Sequence, residues 1–400
     1  MRLPREAYPI HDALTVHLPT LRPAQVRGLT WWVYGAILAG SACHTAVLVA
    51  LRPLGAAVAL HQLLREWLYD GQDQTLPSRY QVDVARCFPG LLRWLLTWWQ
   101  GRDLALALDV TALGDRLVVL SLSVLYRGTA LPVAWQVLPA NRPGAWGPSW
   151  QDLLDRIAPA IPPTMRVLVL TDRGLWSPRL WDRIRTRGWA PLMRVRQETT
   201  VRPIGRERVR ATWLVPGPGH AWIGAATLYR HKAKQRRGTV LVVWEEGQKE
   251  PWILVTSLPA ARVGAWWYAL RTWIELGFRA LKRMGWHWER TRRTAPARVA
   301  RHWLVLAVAT LWVVATGTRV EDADRLGRAP AHLRTPPAPS PTPSPRTVSV
   351  FSLGLSRMRW QLLRLRRLWT CLWLTPEPWP LPPPHLTVVV VDPRARPLPP

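Results

Sequence analysis

Through much of residues 26–99 apolar side chains recur at three- and four-residue spacing, as in 56–68 and 91–99, and this period predicts a helical N-terminal region. The texture then changes. Segments 104–110, 116–124 and 130–137 are short and rich in leucine and β-branched residues. The turn signals Gly114-Asp115 and Arg127-Gly128-Thr129 separate them, so they predict three consecutive antiparallel strands. A helix at 148–157, a buried strand at 166–171, a helix at 178–187 and a strand at 190–195 follow, and strands alternating with helices after a meander indicate an α/β domain.

Residues 199–257 revert to β texture, with candidate strands at 211–215, 221–229, 239–244 and 251–256 that suggest an all-β insertion. Helical patterns return at 263–284 and 298–315. The chain therefore divides into a helical N-terminal region at 1–99, an α/β core at 100–198, the insertion at 199–257 and a second part of the core at 258–318. A Pro-rich linker at 319–346, a basic helical segment at 347–375 and a Pro-rich, disordered tail at 376–400 complete the expected order.

One stretch complicates this reading. Residues 28–51 lack formal charge and are as long as a membrane span. Gly40, Ser41, His44 and Thr45 near the middle favour two short buried helices broken near Gly40 over a span. The 298–315 pattern is too short for a comfortable crossing. The first 25 residues show no basic start followed by an apolar run, so export is not expected.

Charge narrows the partners. The 400 residues carry a formal net charge of +29 with only 25 acidic groups, which points to a polyanion, either nucleic acid or an anionic membrane surface. Nearly all the cations are arginine; the lysines are Lys232, Lys234, Lys249 and Lys282. Cys43, Cys87 and Cys371 lie far apart without a CxxC pair, and the ten histidines form no HExxH, so neither a disulfide framework nor a zinc site is suggested. A reducing, cytoplasmic compartment fits. The 27 tryptophans are spread along the chain and read mostly as core or interface filling.

The candidate chemistry centres on 268–282. Placed on one α-helix, Tyr268, Arg271, Glu275 and Lys282 share a narrow polar stripe, while Leu270, Trp273, Ile274, Gly277, Phe278, Leu281 and Met284 form an apolar face. Arginine and glutamate at four-residue spacing also pair on ordinary solvated helix faces. Lys282 stands out in a chain that writes arginine nearly everywhere else. Two further carboxylates end buried strands: Asp109 in Leu104-Ala-Leu-Ala-Leu-Asp-Val-Thr111, and Asp172 in Val167-Leu-Val-Leu-Thr-Asp-Arg-Gly174. Either alone reads as a turn or cap residue.

The spacing Tyr268-x2-Arg271-x3-Glu275-x6-Lys282 resembles, without substitution, the Tyr-Arg-Glu-Lys signature of a large family of bacterial insertion-sequence DDE transposases. That resemblance covers about 104–290 and implies a ribonuclease-H-like mixed sheet with flanking helices and a β insertion. In such a fold the first aspartate lies on the first strand, the second after the fourth strand and the glutamate on a later helix. It implies Asp109, Asp172 and Glu275 as catalytic and metal-ligating residues for two Mg2+ or Mn2+ ions. Phosphodiester cleavage uses such a pair about 4 Å apart, one ion at the attacking oxygen and one at the leaving oxygen. Tyr268, Arg271 and Lys282 are then implied to hold the phosphates and bases of the DNA end. Arg173 is open between a DNA contact and a pair with a catalytic carboxylate. Trp135 and Trp176 fit the family's texture, although both read as core.

By resemblance the function is endonucleolytic cleavage at the terminal inverted repeats of an insertion sequence and strand transfer into target DNA, with a homodimer in the synaptic complex and no membrane. A hairpin intermediate stays open. The rivals are a nuclease on the same fold without strand transfer, a catalytically decayed or domesticated DNA-binding relative, and a basic membrane protein.

Overall fold

The computed structural model describes residues 2–55, 57–74, 81–140, 146–325, 327 and 346–391. The N-terminal helices are α1 (Tyr8–His17), α2 (Pro23–Ala39), α3 (His44–Leu51), α4 (Ala57–Leu68) and α5 (Phe88–Trp98). Three strands follow, β1 (Asp103–Leu113), β2 (Leu117–Tyr126) and β3 (Thr129–Pro139), and then α6 (Gly147–Ile157), β4 (Arg166–Thr171), α7 (Pro178–Thr186) and β5 (Ala190–Arg194). The insertion supplies β6 (Thr200–Pro203), β7 (Val209–Arg210), β8 (His220–Leu228), β9 (Arg236–Trp244) and β10 (Trp252–Thr256). The chain continues through α8 (Thr272–Leu281), α9 (Pro296–Arg325), α10 (Val350–Leu363) and β11 (Thr387–Val391).

These strands form one sheet in the order β3-β2-β1-β4-β5-β10-β9-β8-β6-β7. The meander β1 to β3 is antiparallel, whereas β4 and β5 run parallel to β1, which is the ribonuclease-H-like mixed sheet flanked by helices. The near-continuous apolar strands β1 and β4 suit a sheet covered on both faces. The β-rich insertion is continuous with the core sheet: β10 pairs antiparallel with β5, so β6 to β10 extend it. Its expected strand at 211–215 is a 3-10 turn, Ala211–Leu214.

The uncharged stretch 28–51 forms two helices, α2 and α3, bent by 87° at the break that contains Gly40. The helix expected at 298–315 is longer than its pattern suggests. α9 runs for 30 residues and is long and apolar enough to cross a membrane by length and composition, yet 94% of its apolar window is buried inside the fold. Its tryptophans fill the core. Trp303 meets Trp135 and Trp288 at ring distances of 6.1 and 5.4 Å, and Trp312 meets Trp94 and Trp98 edge-on. Trp135 is buried and its indole N–H donates to the Ala300 carbonyl, while Trp176 is half-buried between Trp181 and Tyr229.

Three boundaries of the C-terminal region change, the helical segment expected at 347–375 being helical only over α10, Val350–Leu363. Residues 319–325, placed in the linker, belong to α9, because Arg127, packed against that end, pairs with Glu321 and Asp322 at 2.6 and 2.7 Å. Residues 328–345 of that linker lie outside the described residues. α10 crosses α9 closely: a Cβ on Gly317 would sit 1.7 Å from the Val350 carbonyl oxygen, and one on Gly354 1.8 Å from that of Val313, so only glycine permits the contact. Residues 376–391 of the tail, expected to be disordered, pack on the fold and end in a strand. β11 pairs parallel with β8 along Thr387–Val391, since a run of four valines is a strong strand former despite the prolines around it. Residues 392–400 lie outside the described residues.

Between the N-terminal helices and α9 lie His44 and His302, both packed on Trp32. Burial, with Arg293, His61 and Arg65 adding, lowers His44 to about 4; burial, with Arg293 and His44 adding against a hydrogen bond to Ala42, lowers His302 to about 3. In the unfolded chain both imidazoles take up protons near 6.5. The unfolded state therefore binds more protons below that point, and stability is expected to fall as pH drops from 6.5 toward 4. Thermal unfolding midpoints across that interval measure this; a flat profile would mean that the imidazoles are solvated.

Candidate active site

Strand register brings the two aspartates together. β1 and β4 pair parallel with Leu108 opposite Thr171 as the last matched residues, so Asp109 and Asp172 follow side by side at the same end of the sheet. Asp109 also lies opposite Ser121 of β2, and its Oδ1 accepts a hydrogen bond from the Val110 N–H at 2.9 Å. α8 packs across β3 and presents Glu275 to the same place. Gly277 permits that packing, because a Cβ there would lie 2.7 Å from the Ala130 Cβ and 2.9 Å from its backbone nitrogen.

One guanidinium joins all three carboxylates. Arg271 Nη2 lies 2.9 Å from Asp109 Oδ2 and 3.9 Å from Asp172 Oδ2, and Nη1 donates to Glu275 Oε1 at 2.8 Å. The exposures grade outward: Arg271 is 13% exposed, Asp109 17%, Asp172 43% and Glu275 55%. Burial raises the Asp109 carboxyl above its usual range, with Arg271 and the Val110 N–H opposing and Asp172 and Glu275 reinforcing. The Arg271 guanidinium is held more strongly protonated, the neighbouring Asp109, Tyr268, Asp172 and Glu275 outweighing the effect of burial.

The polar stripe of 268–282 is only partly what one helix would give. Residues Trp267–Arg271 form a 3-10 turn, and the α-helix starts at Thr272, so the side expected for Tyr268 does not hold. Tyr268 is buried against Trp252, and its hydroxyl donates to the Thr171 carbonyl at 3.2 Å, one residue before Asp172. It supports the strand end rather than reaching outward. Burial pushes its hydroxyl pKa up.

Lys282 follows α8 and donates to the Ala112 carbonyl of β1 at 2.9 Å, and burial lowers its pKa. It lines a cleft of about 590 Å³ together with Asp109, Thr111, Glu275, Arg279 and Arg283. Arg279 and Arg283 were not singled out in the sequence, although they continue the four-residue spacing of Arg271 and Glu275. Arg173 pairs with Glu250 of the β9–β10 turn at 3.1 Å rather than with a catalytic carboxylate, and Arg194 shares the Glu250 carboxylate.

Among the described residues, no group of three or more His, Cys, Asp or Glu side chains is arranged to hold a metal ion. The donors that meet at Arg271 are carboxylate oxygens, the class that hard divalent cations take. Their chemistry fits such an ion, while their spacing is that of ion pairs to a guanidinium.

Residues 119–312 match the family described as a transposase DDE domain. The match begins inside β2 and ends inside α9, so it contains Asp172, Glu275 and the 268–282 segment and starts beyond Asp109. A search of curated proteins finds no match to the chain. The matched segment contains most of β2, all of β3 to β10 and α8, and the cleft lies where α8 meets β1, which precedes the match.

Proposed function

We propose that the chain is a DNA transposase that cleaves at the ends of an insertion sequence and transfers the freed strand into target DNA. The observation that carries this reading is the convergence of Asp109, Asp172 and Glu275 on one guanidinium beside a cationic cleft, within a chain matched over 119–312 by the DDE domain.

In this reading Asp109, Asp172 and Glu275 would hold two Mg2+ or Mn2+ ions, which supply activation of the attacking oxygen and stabilisation of the leaving oxygen when bound. The protein's own contribution is placement. Asp109 and Asp172 are fixed by adjacent strands, and Tyr268 braces the carbonyl that precedes Asp172. Arg271 orients the carboxylates and has a guanidinium suited to phosphate oxygens. Lys282, Arg279 and Arg283 give the cleft the charge to seat a DNA backbone, with Lys282 anchored on β1. Arg173, half-exposed beside Asp172, is placed to contact DNA if its pair with Glu250 opens.

The partner is double-stranded DNA, the terminal inverted repeats first and target DNA second, with two copies of the chain pairing the ends. Specific recognition is assigned to the N-terminal helices. The test is incubation of the full chain with a DNA fragment spanning the element's end, with and without magnesium. Magnesium-dependent nicks at the end followed by joined products are expected. Nicks without joining would leave only a nuclease, and no nicks with intact binding would point to a decayed relative.

A further inference from the structure

Beyond the cleft, the C-terminal segment carries a second concentration of charge. From Arg346 to Pro376 the chain has six arginines and no acidic residue. Arg346 is neutralised by Glu321 and Glu377. The others are not matched in this way: among the described residues, no carboxylate pairs with Arg357, Arg359, Arg364, Arg366 or Arg367.

These side chains are ordered by indole rings. Arg319 of α9 lies over Trp369 and Trp373 at 4.2 and 5.5 Å, and Arg357 of α10 lies over Trp369 and Trp360, both at 4.5 Å. Arg364 and Arg366 lie over Trp360 at 5.2 and 5.0 Å. The result is an alternating ladder of rings and guanidinium groups. Arg357 Nε is buried without a hydrogen-bond partner, and burial together with Arg366 and Arg319 makes its charged form less favourable.

A guanidinium held over an indole by cation–π attraction can still offer N–H groups to a planar or tetrahedral oxyanion, and the ring contact restricts it in advance. Cations crowded without acids repel one another, and an anion relieves that repulsion. We infer that this Arg–Trp ladder is a second DNA-binding surface, which grips phosphodiester groups of a duplex independently of sequence. The inference rests on the DNA reading above but does not need catalysis. DNA is favoured over an anionic membrane because the guanidinium groups dominate the patch, and only Leu363 and Leu365 beside them are strongly exposed apolar residues.

The test measures binding of the full chain to a random-sequence duplex by fluorescence anisotropy over a range of salt. Arg364→Gln with Arg366→Gln removes two exposed cations of the ladder. Arg102→Gln with Arg185→Gln removes two exposed cations elsewhere and gives the same change in net charge. The ladder variant is expected to bind roughly tenfold more weakly and to lower the slope of log K against log salt by up to about 2, while the control stays near wild type. Replacing the same two ladder residues by lysine should restore most of the slope and shows that loss is not misfolding. Equal losses in the ladder and control variants overturn the inference. So does unchanged DNA binding combined with lost binding to phosphatidylserine vesicles, which would make the patch a membrane contact. A chain that binds DNA through the ladder yet never nicks an element's end leaves this inference standing and removes the transposase reading.

Discussion

Glu275→Gln is expected to abolish magnesium-dependent nicking at the element's end while binding to that end persists. The amide keeps the length and shape of the side chain but removes the negative charge that a hard cation requires. Loss of an outer-shell partner costs about 10–100-fold in metal sites, and loss of a direct ligand should exceed that. Binding should survive, because Glu275 repels phosphate and Arg279, Lys282 and Arg283 line the same cleft. Folding should survive as well: Glu275 is 55% exposed, and the burial of α8 rests on Ile274, Gly277, Ala280 and Leu281. A gel shift and a nicking assay on the same preparation separate the two outcomes. Nicking at the wild-type rate would reduce Glu275 to one member of an ordinary helix-surface ion pair with Arg271, and the catalytic assignment would go with it.

Much of the core could be read from the chain because its signals are local. An apolar run that stops at a carboxylate, as at Asp172, needs only strand propensity and a turn to be recognised, whereas β1 runs on past Asp109 to Leu113. Which strands adjoin is a different matter. That Leu108 faces Thr171, and hence that the two aspartates are neighbours, depends on pairing across 63 residues that periodicity does not encode.

The same limit explains the insertion, where β8, β9 and β10 were recognisable while β6, β7 and the attachment to β5 through β10 were not. Arg173 and Glu250 are 77 residues apart, and nothing near either one announces the pair. Tyr268 went astray for a local reason. A 3.6-residue period carried through the 3-10 turn 267–271 places the ring on the wrong side, while tertiary contacts with Trp252 and Thr171 bury it. For the tail, the signal was present: Val388 to Val391 is a β-branched run that the surrounding prolines outweighed in the reading.

Arg271→Gln is expected to move the acid limb of the nicking rate to higher pH, in addition to weakening DNA placement. Asp109 is pulled two ways: burial raises its pKa, and Arg271 is the largest influence that lowers it. Without the guanidinium only the Val110 N–H still opposes burial, and the carboxylates of Asp172 and Glu275 add to the burial effect. A neighbouring arginine favours the ionised form of an aspartate, so its removal displaces the limb toward higher pH. The sign follows from the need for an ionised carboxylate at a cation site: more protonation at a given pH means a slower reaction on the acid side. Stability should move with it. A folded-state pKa above the unfolded value means that the folded chain holds the extra proton between the two, so stability falls as pH rises through that window. The variant widens the window and should lose more stability at neutral pH than at mildly acid pH. Nicking rates and thermal midpoints measured across the same series of buffers test both halves. If the acid limb stays in place while DNA binding weakens, Arg271 serves the phosphate alone, and its contacts with Asp109, Asp172 and Glu275 do not govern their protonation.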